Sequence, residues 1–395
     1  MKTVDTFSFK EKRALIRVDY NVPLDESFVI QDDSRITESL STIKKILNDG
    51  GSVVLMSHLG RPKNGPENKF SLKHLVSHLE TLTGVKVLFS DDCVSKEAIN
   101  TSKNLEIGTI HLLENLRFYP EETSGNNDFA EKLSEHGDIY VNDAFGTAHR
   151  SHASTAVIAR HFTDKCFGYL MTKEISNASM LLKNPERPFT AIVGGAKVSD
   201  KILIIQNLLN IADHIIIGGG MAYTFKCAQG GTIGNSLFEK ERVETCRKIL
   251  IEAKKKNVQI HLPQDSIIAD KFDNNTNTQN CQSDQIPDGW MGLDIGGDAI
   301  STFSNVLTQS KTILWNGPMG VFEMSTFENG TKSIAKAVAL ATDNGAFSLI
   351  GGGDSSAAVK KFGYTNQVSY VSTGGGALLE YFEGKKLPGI VAIEG

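Results

Sequence analysis

Four stretches repeat one pattern: AIVGGAKVSDK (191–201), IIIGGGMAYTF (215–225), SLIGGGDSSAAV (348–359) and YVSTGGGALLEYF (370–382). In each, an apolar, β-rich run ends in glycines and a helical run follows. Glycine lets the backbone turn sharply and approach a ligand closely. The helix behind it aims its unbonded N–H groups and positive dipole end outward. One such turn is ordinary strand–helix punctuation. Four together predict a phosphate-binding edge at the carboxyl ends of parallel strands. No G-x-x-x-x-G-K-[ST] occurs, so this is not a Walker-type P-loop, and no G-x-G-x-x-G follows a strand, which weakens a dinucleotide reading.

Working outward, the same strand–helix rhythm fills the chain. Strands are expected at Ala14–Val18, Ser52–Met56, Val85–Phe89, Ile110–Leu113 and Ile139–Asn142, then at Thr190–Val193, His214–Ile217, Val258–Leu262, Thr312–Trp315, Phe347–Ile350 and Val368–Val371. Between them, Ile36, Leu40, Ile43 and Leu47 recur at helical spacing, as do Val243, Cys246, Ile249, Leu250 and Ala253. Strand and helix in alternation imply an α/β fold with parallel sheets covered on both faces. Two doubly wound sheets fit 395 residues better than one. The break is expected near the polar, two-proline segment KNPERP (183–188), beside a helical stretch around 173–182 that would act as a hinge. The polar run DNNTNTQNCQSD (273–284) reads as an exposed loop.

Within the glycine turns, Lys197 and Lys201 stand four apart and would share the first turn of a helix over 198–210. Lysine is a mobile point charge suited to phosphate oxygens. Asp354 directly follows three glycines. A carboxylate there would repel a phosphate unless a cation lay between, which suggests Mg²⁺; capping of the following helix is a compatible second role.

The first half offers cations near its strand ends instead: Arg17 in LIRVDYNVP, Arg35 in DDSRI, His58 and Arg61 in SHLGRP, Arg117 in LLENLRF, and His149, Arg150 and His152 in GTAHRSHAS. Singly, each arginine reads as a surface residue. Their repeated placement after strands suits a small anion carrying phosphate and carboxylate groups, with Asp19 and Asn21 placed to bond its hydroxyls. One half for a phosphorylated acid and the other for a nucleotide would require closure before reaction.

Composition is consistent with this. A net charge of −5 and 22% charged residues suggest no global nucleic-acid or membrane partner. Five scattered cysteines without a C-x-x-C suggest a reducing, cytoplasmic setting, and the first residues lack an apolar signal core.

Ten segments resemble motifs of the phosphoglycerate kinase family, in family order: RVDYNVP (17–23), SHLGRP (57–62), LLENLRF (112–118), DAFGTAHRSHAS (143–154), GGAKVSDK (194–201), GGGMAYTF (218–225), PDGWMGLDIG (287–296), WNGPMGVFE (315–323), GGGD (351–354) and STGGGA (372–377). Departures are modest: Tyr20 where Phe is common, Ser151 where Ala is common, and Ser355–Ser356 where a Thr-containing pair is usual.

The resemblance implies two Rossmann-like domains: 1–172 for 3-phosphoglycerate, a hinge helix and linker at 173–189, 190–380 for the nucleotide, and a tail at 381–395 returning to the first domain. It implies that Asp19, Asn21, Arg35, His58, Arg61, Arg117 and Arg150 bind 3-phosphoglycerate. It places Gly195, Lys197, Lys201, Gly219, Leu293, Asn316, Glu323, Gly351, Gly352, Gly353, Asp354 and Ser355 around Mg-ATP or Mg-ADP, with Asp354 on Mg²⁺. Arg35, Lys197, Gly352 and Gly375 are the expected catalytic set. The implied protein is a cytoplasmic, glycolytic, monomeric kinase that bends at a hinge and exchanges a phosphoryl group between 1,3-bisphosphoglycerate and ADP. Rival readings are another acyl-phosphate kinase, a binding protein without turnover, and a dinucleotide oxidoreductase.

Overall fold

The apolar runs become the strands of two parallel sheets in the computed structural model, which describes residues 1–63 and 65–395. The chain divides into two units, Met1–Ser176 with Lys386–Gly395, and Asn177–Lys385. The boundary falls inside one helix, Tyr169–Lys183.

In the first unit, β1 (Arg13–Arg17), β2 (Ser52–Met56), β3 (Val87–Ser90), β4 (Ile110–Leu113), β5 (Ile139–Asn142) and β6 (Lys165–Phe167) form a sheet in the order β3-β4-β2-β1-β5-β6. All its pairings are parallel. The strand centres are apolar because helices cover both faces, with polar residues mostly at the strand ends. Ile36, Ile43 and Ile46 of the helix Ser34–Asn48 are fully buried against Val53 and Leu55; each such side chain contributes roughly 1.5–3 kcal/mol. Arg17 pairs with Met56 on one side and Asn142 on the other, so three strands end level. The chain leaves β1 and β5 in opposite directions, which opens a crevice between their carboxyl ends. The terminal helix Pro388–Glu394 packs on this unit: Gly389 N donates to Ala148 O at 2.8 Å and Asn142 Nδ2 to Gly389 O at 3.3 Å.

One polar chain crosses this core. Ser90 Oγ meets His111 Nε2 at 2.8 Å, His111 Nδ1 meets Ser102 Oγ at 2.8 Å, and Ser102 Oγ meets His136 Nδ1 at 2.6 Å. His136 Nε2 lies 3.1 Å from Cys93 O. A carbonyl only accepts, so His136 Nε2 carries the proton. Burial pushes both rings down to about 4, so both are neutral near pH 7. With neutral rings every other role follows: Ser102 donates to His136, His111 Nδ1 donates to Ser102, and Ser90 donates to His111 Nε2.

The second unit holds β7 (Phe189–Val193), β8 (His214–Ile217), β9 (Thr232–Ile233), β10 (Gln259–His261), β11 (Asp265–Ala269), β12 (Thr278–Gln282), β13 (Gln285–Ile286), β14 (Met291–Ile295), β15 (Thr312–Asn316), β16 (Phe347–Gly351) and β17 (Tyr370–Val371). Its parallel sheet runs β10-β8-β7-β15-β16-β17, around the fully buried Trp315, Ile192, Ile216, Ile334 and Val338. The switch point lies between β7 and β15. A small antiparallel sheet, β12-β11-β14, and the pair β13-β9 stand beside it.

Three expectations change. The run 273–284 is not all loop: Thr278–Gln282 is an edge strand, held by its main-chain ladder to β11 rather than by an apolar face. The edge strand β6 has no counterpart among the expected strands, and neither do β9, β11, β13 and β14; all are short and lie outside the two parallel sheets or at their edge. The helix expected over 198–210 begins only at Ile202 and ends at Leu208, leaving Lys197 in a loop.

Candidate functional site

In the first unit, the segments after β1, β2, β4 and β5 converge on the carboxyl edge. Arg61, Arg117 and Arg150 line a cavity of about 490 Å³ together with Lys63 and His152. No carboxylate lines it among the described residues. Arg117 Nη1 donates to Gly60 O at 2.8 Å, fixing its stem. Burial, then the neighbouring Arg150 and Arg17, hold Arg117 down to about 10. Arg150 is lowered too, by burial and then Arg61. Cations crowded this way are relieved by an anion.

Beside the cavity, Arg35 Nη1 donates to Asp19 Oδ2 at 2.6 Å. Arg17 is buried; its Nε donates to Ser154 Oγ at 2.9 Å, and its Nη2 lies 3.2 Å from His58 Nδ1. Burial and then Arg17, Arg117, Arg150 and Arg35 lower His58 well below its ordinary range, so it is neutral near pH 7. Asp19 Oδ1 lies 3.8 Å from the same ring. Asn21 stands on a different, 260 Å³ cavity and accepts from Gly60 N at 2.8 Å. Thus Arg61, Arg117 and Arg150 come together, Asp19, Arg35 and His58 form a second cluster, and Asn21 joins it through its main-chain N–H, which donates to Asp19 Oδ1 at 3.4 Å, while its side chain is held by the Gly60 turn.

In the second unit, the turns after β7, β8 and β15 pack backbone on backbone. Gly194 N donates to Asn316 O at 2.8 Å, Gly195 N to Pro318 O at 3.2 Å, and Gly219 N to Met319 O at 3.0 Å. Gly317 has φ +99, and a Cβ there would lie 2.1 Å from Gly194 O. Only glycine permits both the conformation and the approach. These turns frame a cavity of about 440 Å³ whose walls include Gly195, Gly219, Leu293, Glu323 and Asp354. Leu237, Phe272, Met291 and Tyr223 complete its apolar side. Met291 and Tyr223 belong to the segments 287–296 and 218–225 quoted above, whereas Leu237 and Phe272 lie outside every segment the sequence pointed to. The available signal was Phe272, a lone large apolar residue amid polar neighbours in DKFDNN (270–275).

The remaining expected residues flank the cavity. Lys201 Nζ donates to Asn316 Oδ1, and Asn316 Nδ2 donates to Gly351 O at 2.8 Å. Burial lowers Lys201, offset by Asp200, Asp354 and Glu383. Gly352, at φ +90, precedes the helix Gly353–Lys361, and Gly375, at φ +49, precedes the helix Gly376–Phe382. Ser355 is buried and accepts from Gly317 N at 2.6 Å, so its hydroxyl braces a turn. Lys197 is exposed and is not part of the cavity wall, nor is Gly375.

Asp354 is exposed in the first turn of its helix, and Glu323 shares its cavity. Among the described residues no group of three or more His, Cys, Asp or Glu gathers. One or two carboxylates without a protein cage is the donor set Mg²⁺ takes when phosphates supply the rest.

A family model described as phosphoglycerate kinase matches residues 4–385. The chain is 51% identical to a phosphoglycerate kinase of Porphyromonas gingivalis, with all of both chains covered. It is 48% identical to the cytosolic phosphoglycerate kinase 3 of Arabidopsis thaliana, over 99% of this chain and 98% of that one. The solved phosphoglycerate kinase of Coxiella burnetii superposes with a TM-score of 0.90 at 40% identity, over 99% of this chain and 98% of that one. Alike in sequence, motif order and fold, the chain belongs to the phosphoglycerate kinase family.

Proposed function

We infer that this chain is a glycolytic kinase that moves a phosphoryl group reversibly between 1,3-bisphosphoglycerate and ADP, giving 3-phosphoglycerate and ATP. Family membership supports the reaction. The observation that carries the acid's site is the cavity of Arg61, Arg117 and Arg150, cationic and without a lining carboxylate among the described residues. It takes the phosphate end, and the cluster of Asp19, Arg35 and His58, with Asn21, orients the hydroxyl and carboxylate. The first unit is thus the acid-binding domain and the second the nucleotide-binding one. The base enters the apolar cavity at Leu293, and the phosphates run along Gly195, Gly219, Lys201 and the glycines 351–353.

The attacking carboxylate is already ionised at pH 7, so the site needs no general base. Catalysis reduces to alignment and charge neutralisation. Arg35 and Lys197 are the main stabilisers of the moving group, assisted by the N–H groups at Gly352 and Gly375. Asp354, with Glu323 nearby, would hold Mg²⁺, which supplies charge neutralisation on the nucleotide phosphates. Transfer in line requires the two bound substrates to meet, so turnover involves closure at the hinge helix and exclusion of water. Free cysteines fit a reducing cytoplasm, and the kinase acts as a monomer. No described helix is long and apolar enough to cross a membrane.

The test is 3-phosphoglycerate-dependent ADP formation from Mg-ATP, in wild type and Lys197→Ala. Turnover that collapses in the variant supports reaction and site. Turnover only with a different acid overturns the substrate, and none with any acid overturns the activity.

A further inference from the structure

Lys197 lies in the loop Ala196–Lys201, ahead of the first turn of Ile202–Leu208, so no helical hydrogen bond fixes it. The loop is anchored instead by a carboxylate forty residues on. Glu239 Oε2 accepts from Ser199 N at 3.0 Å, and the Val198 N–H and Ser199 hydroxyl face the same carboxylate. Val198 is fully buried while Lys197 beside it is exposed, so the anchored pair pins the residue next to the lysine. Glu239 is held in turn by its own N–H, which donates to Thr224 Oγ1 at 3.2 Å on the helix Met221–Ala228.

The chain just before Glu239 is fastened to the base cavity. Asn235 N donates to Trp290 O at 2.7 Å, and Ser236 Oγ accepts from Gly292 N at 2.9 Å. Leu237 lines the cavity, so close to Gly220 that a Cβ there would lie 2.9 Å from its Cδ2. The strap Asn235–Glu239 therefore runs from the cavity wall to the lysine loop. We propose that Glu239 is a positioning residue that sets the reach of Lys197 against the nucleobase cavity, so that a seated base places the ammonium on the transferred phosphoryl group. This rests on the reading of Lys197 given above. A carboxylate that merely stabilised the loop would lower stability without acting through Lys197.

A double-mutant cycle tests it with Glu239→Ala, Glu239→Gln, Lys197→Ala and the combination Glu239→Ala with Lys197→Ala, in the full-length enzyme with Mg-ATP and 3-phosphoglycerate. Glu239→Ala should lower kcat about tenfold, with KM for ATP changed less than about twofold, since misplacement of a group by a fraction of an ångström acts on the transition state. Glu239→Gln keeps one acceptor oxygen and should fall between. In the Lys197→Ala background, Glu239→Ala should add almost nothing. The same fold-loss in both backgrounds, or an unchanged kcat in Glu239→Ala, overturns the proposal while leaving Lys197 in place. Full kcat in Lys197→Ala overturns both readings. If Glu239→Ala lowers Tm enough to unfold the protein, the cycle is run with Glu239→Gln and judged by the same coupling.

Discussion

Replacing His136 with Gln removes one of the two neutral imidazoles in the Ser90–His111–Ser102–His136–Cys93 chain and should flatten the acid limb of the stability profile. Burial is the largest effect on His136. The Cys93 carbonyl and Glu135 oppose it, Arg13 and Lys103 reinforce it, and the ring is left at about 4. His111, packed against His136, is also at about 4. An unfolded histidine titrates near 6.5. Below that pH the unfolded chain binds a proton that the folded site refuses. The stability these rings contribute is therefore complete above about pH 6.5 and lost as pH falls toward 4. At pH 5 each ring costs roughly 2 kcal/mol relative to pH 8, and the pair about 4 kcal/mol. The measurement is urea unfolding followed by circular dichroism from pH 8 to pH 5. His136→Gln should be less stable at pH 8 by about 1–3 kcal/mol, from the broken chain. Its further loss on going to pH 5 should be smaller than that of wild type by roughly 2 kcal/mol. Parallel profiles for the two proteins would refute the reasoning, because His136 would then titrate alike folded and unfolded.

Arg35, 38% exposed and paired with Asp19, has charge to offer a ligand; Arg35→Ala should cut kcat by about 10³ or more while leaving the dissociation constant of ATP nearly unchanged, and an equal loss in both would remove its catalytic role. Asp354→Asn should raise the Mg²⁺ concentration for half-maximal rate severalfold, and chelation of Mg²⁺ should stop turnover in wild type; an unshifted Mg²⁺ titration would move the ion elsewhere. Gly317→Ala places a Cβ 2.1 Å from Gly194 O at φ +99, which should cost about 3 kcal/mol or more. A melting temperature and nucleotide affinity like wild type would show that the two turns can part freely.

The central strands of both sheets were legible because burial on two faces demands continuous apolar runs, as in Val53–Met56 and Ile215–Ile217. The glycine turns were legible for a related reason: at Gly194 and Gly317 two backbones touch, and only one residue type allows it. The strand-end cations were legible as a set, although the sequence did not divide them. Arg17 points inward to Ser154 and His58, while Arg61, Arg117 and Arg150 face a cavity. Phe272 and Leu237 reach the 440 Å³ cavity of the second unit from segments that carry no periodic signal. The loop of Lys197 is tied to Glu239, a distant residue whose carboxylate accepts from Ser199 N. Local pattern thus determined the strands, the turns and the kinds of charge at the sheet edges, since each is enforced by neighbours in the chain. Which charges face a ligand, which brace one another, and where Lys197 stands were decided by contacts between residues far apart in sequence, and those contacts exist only once the sheets have formed.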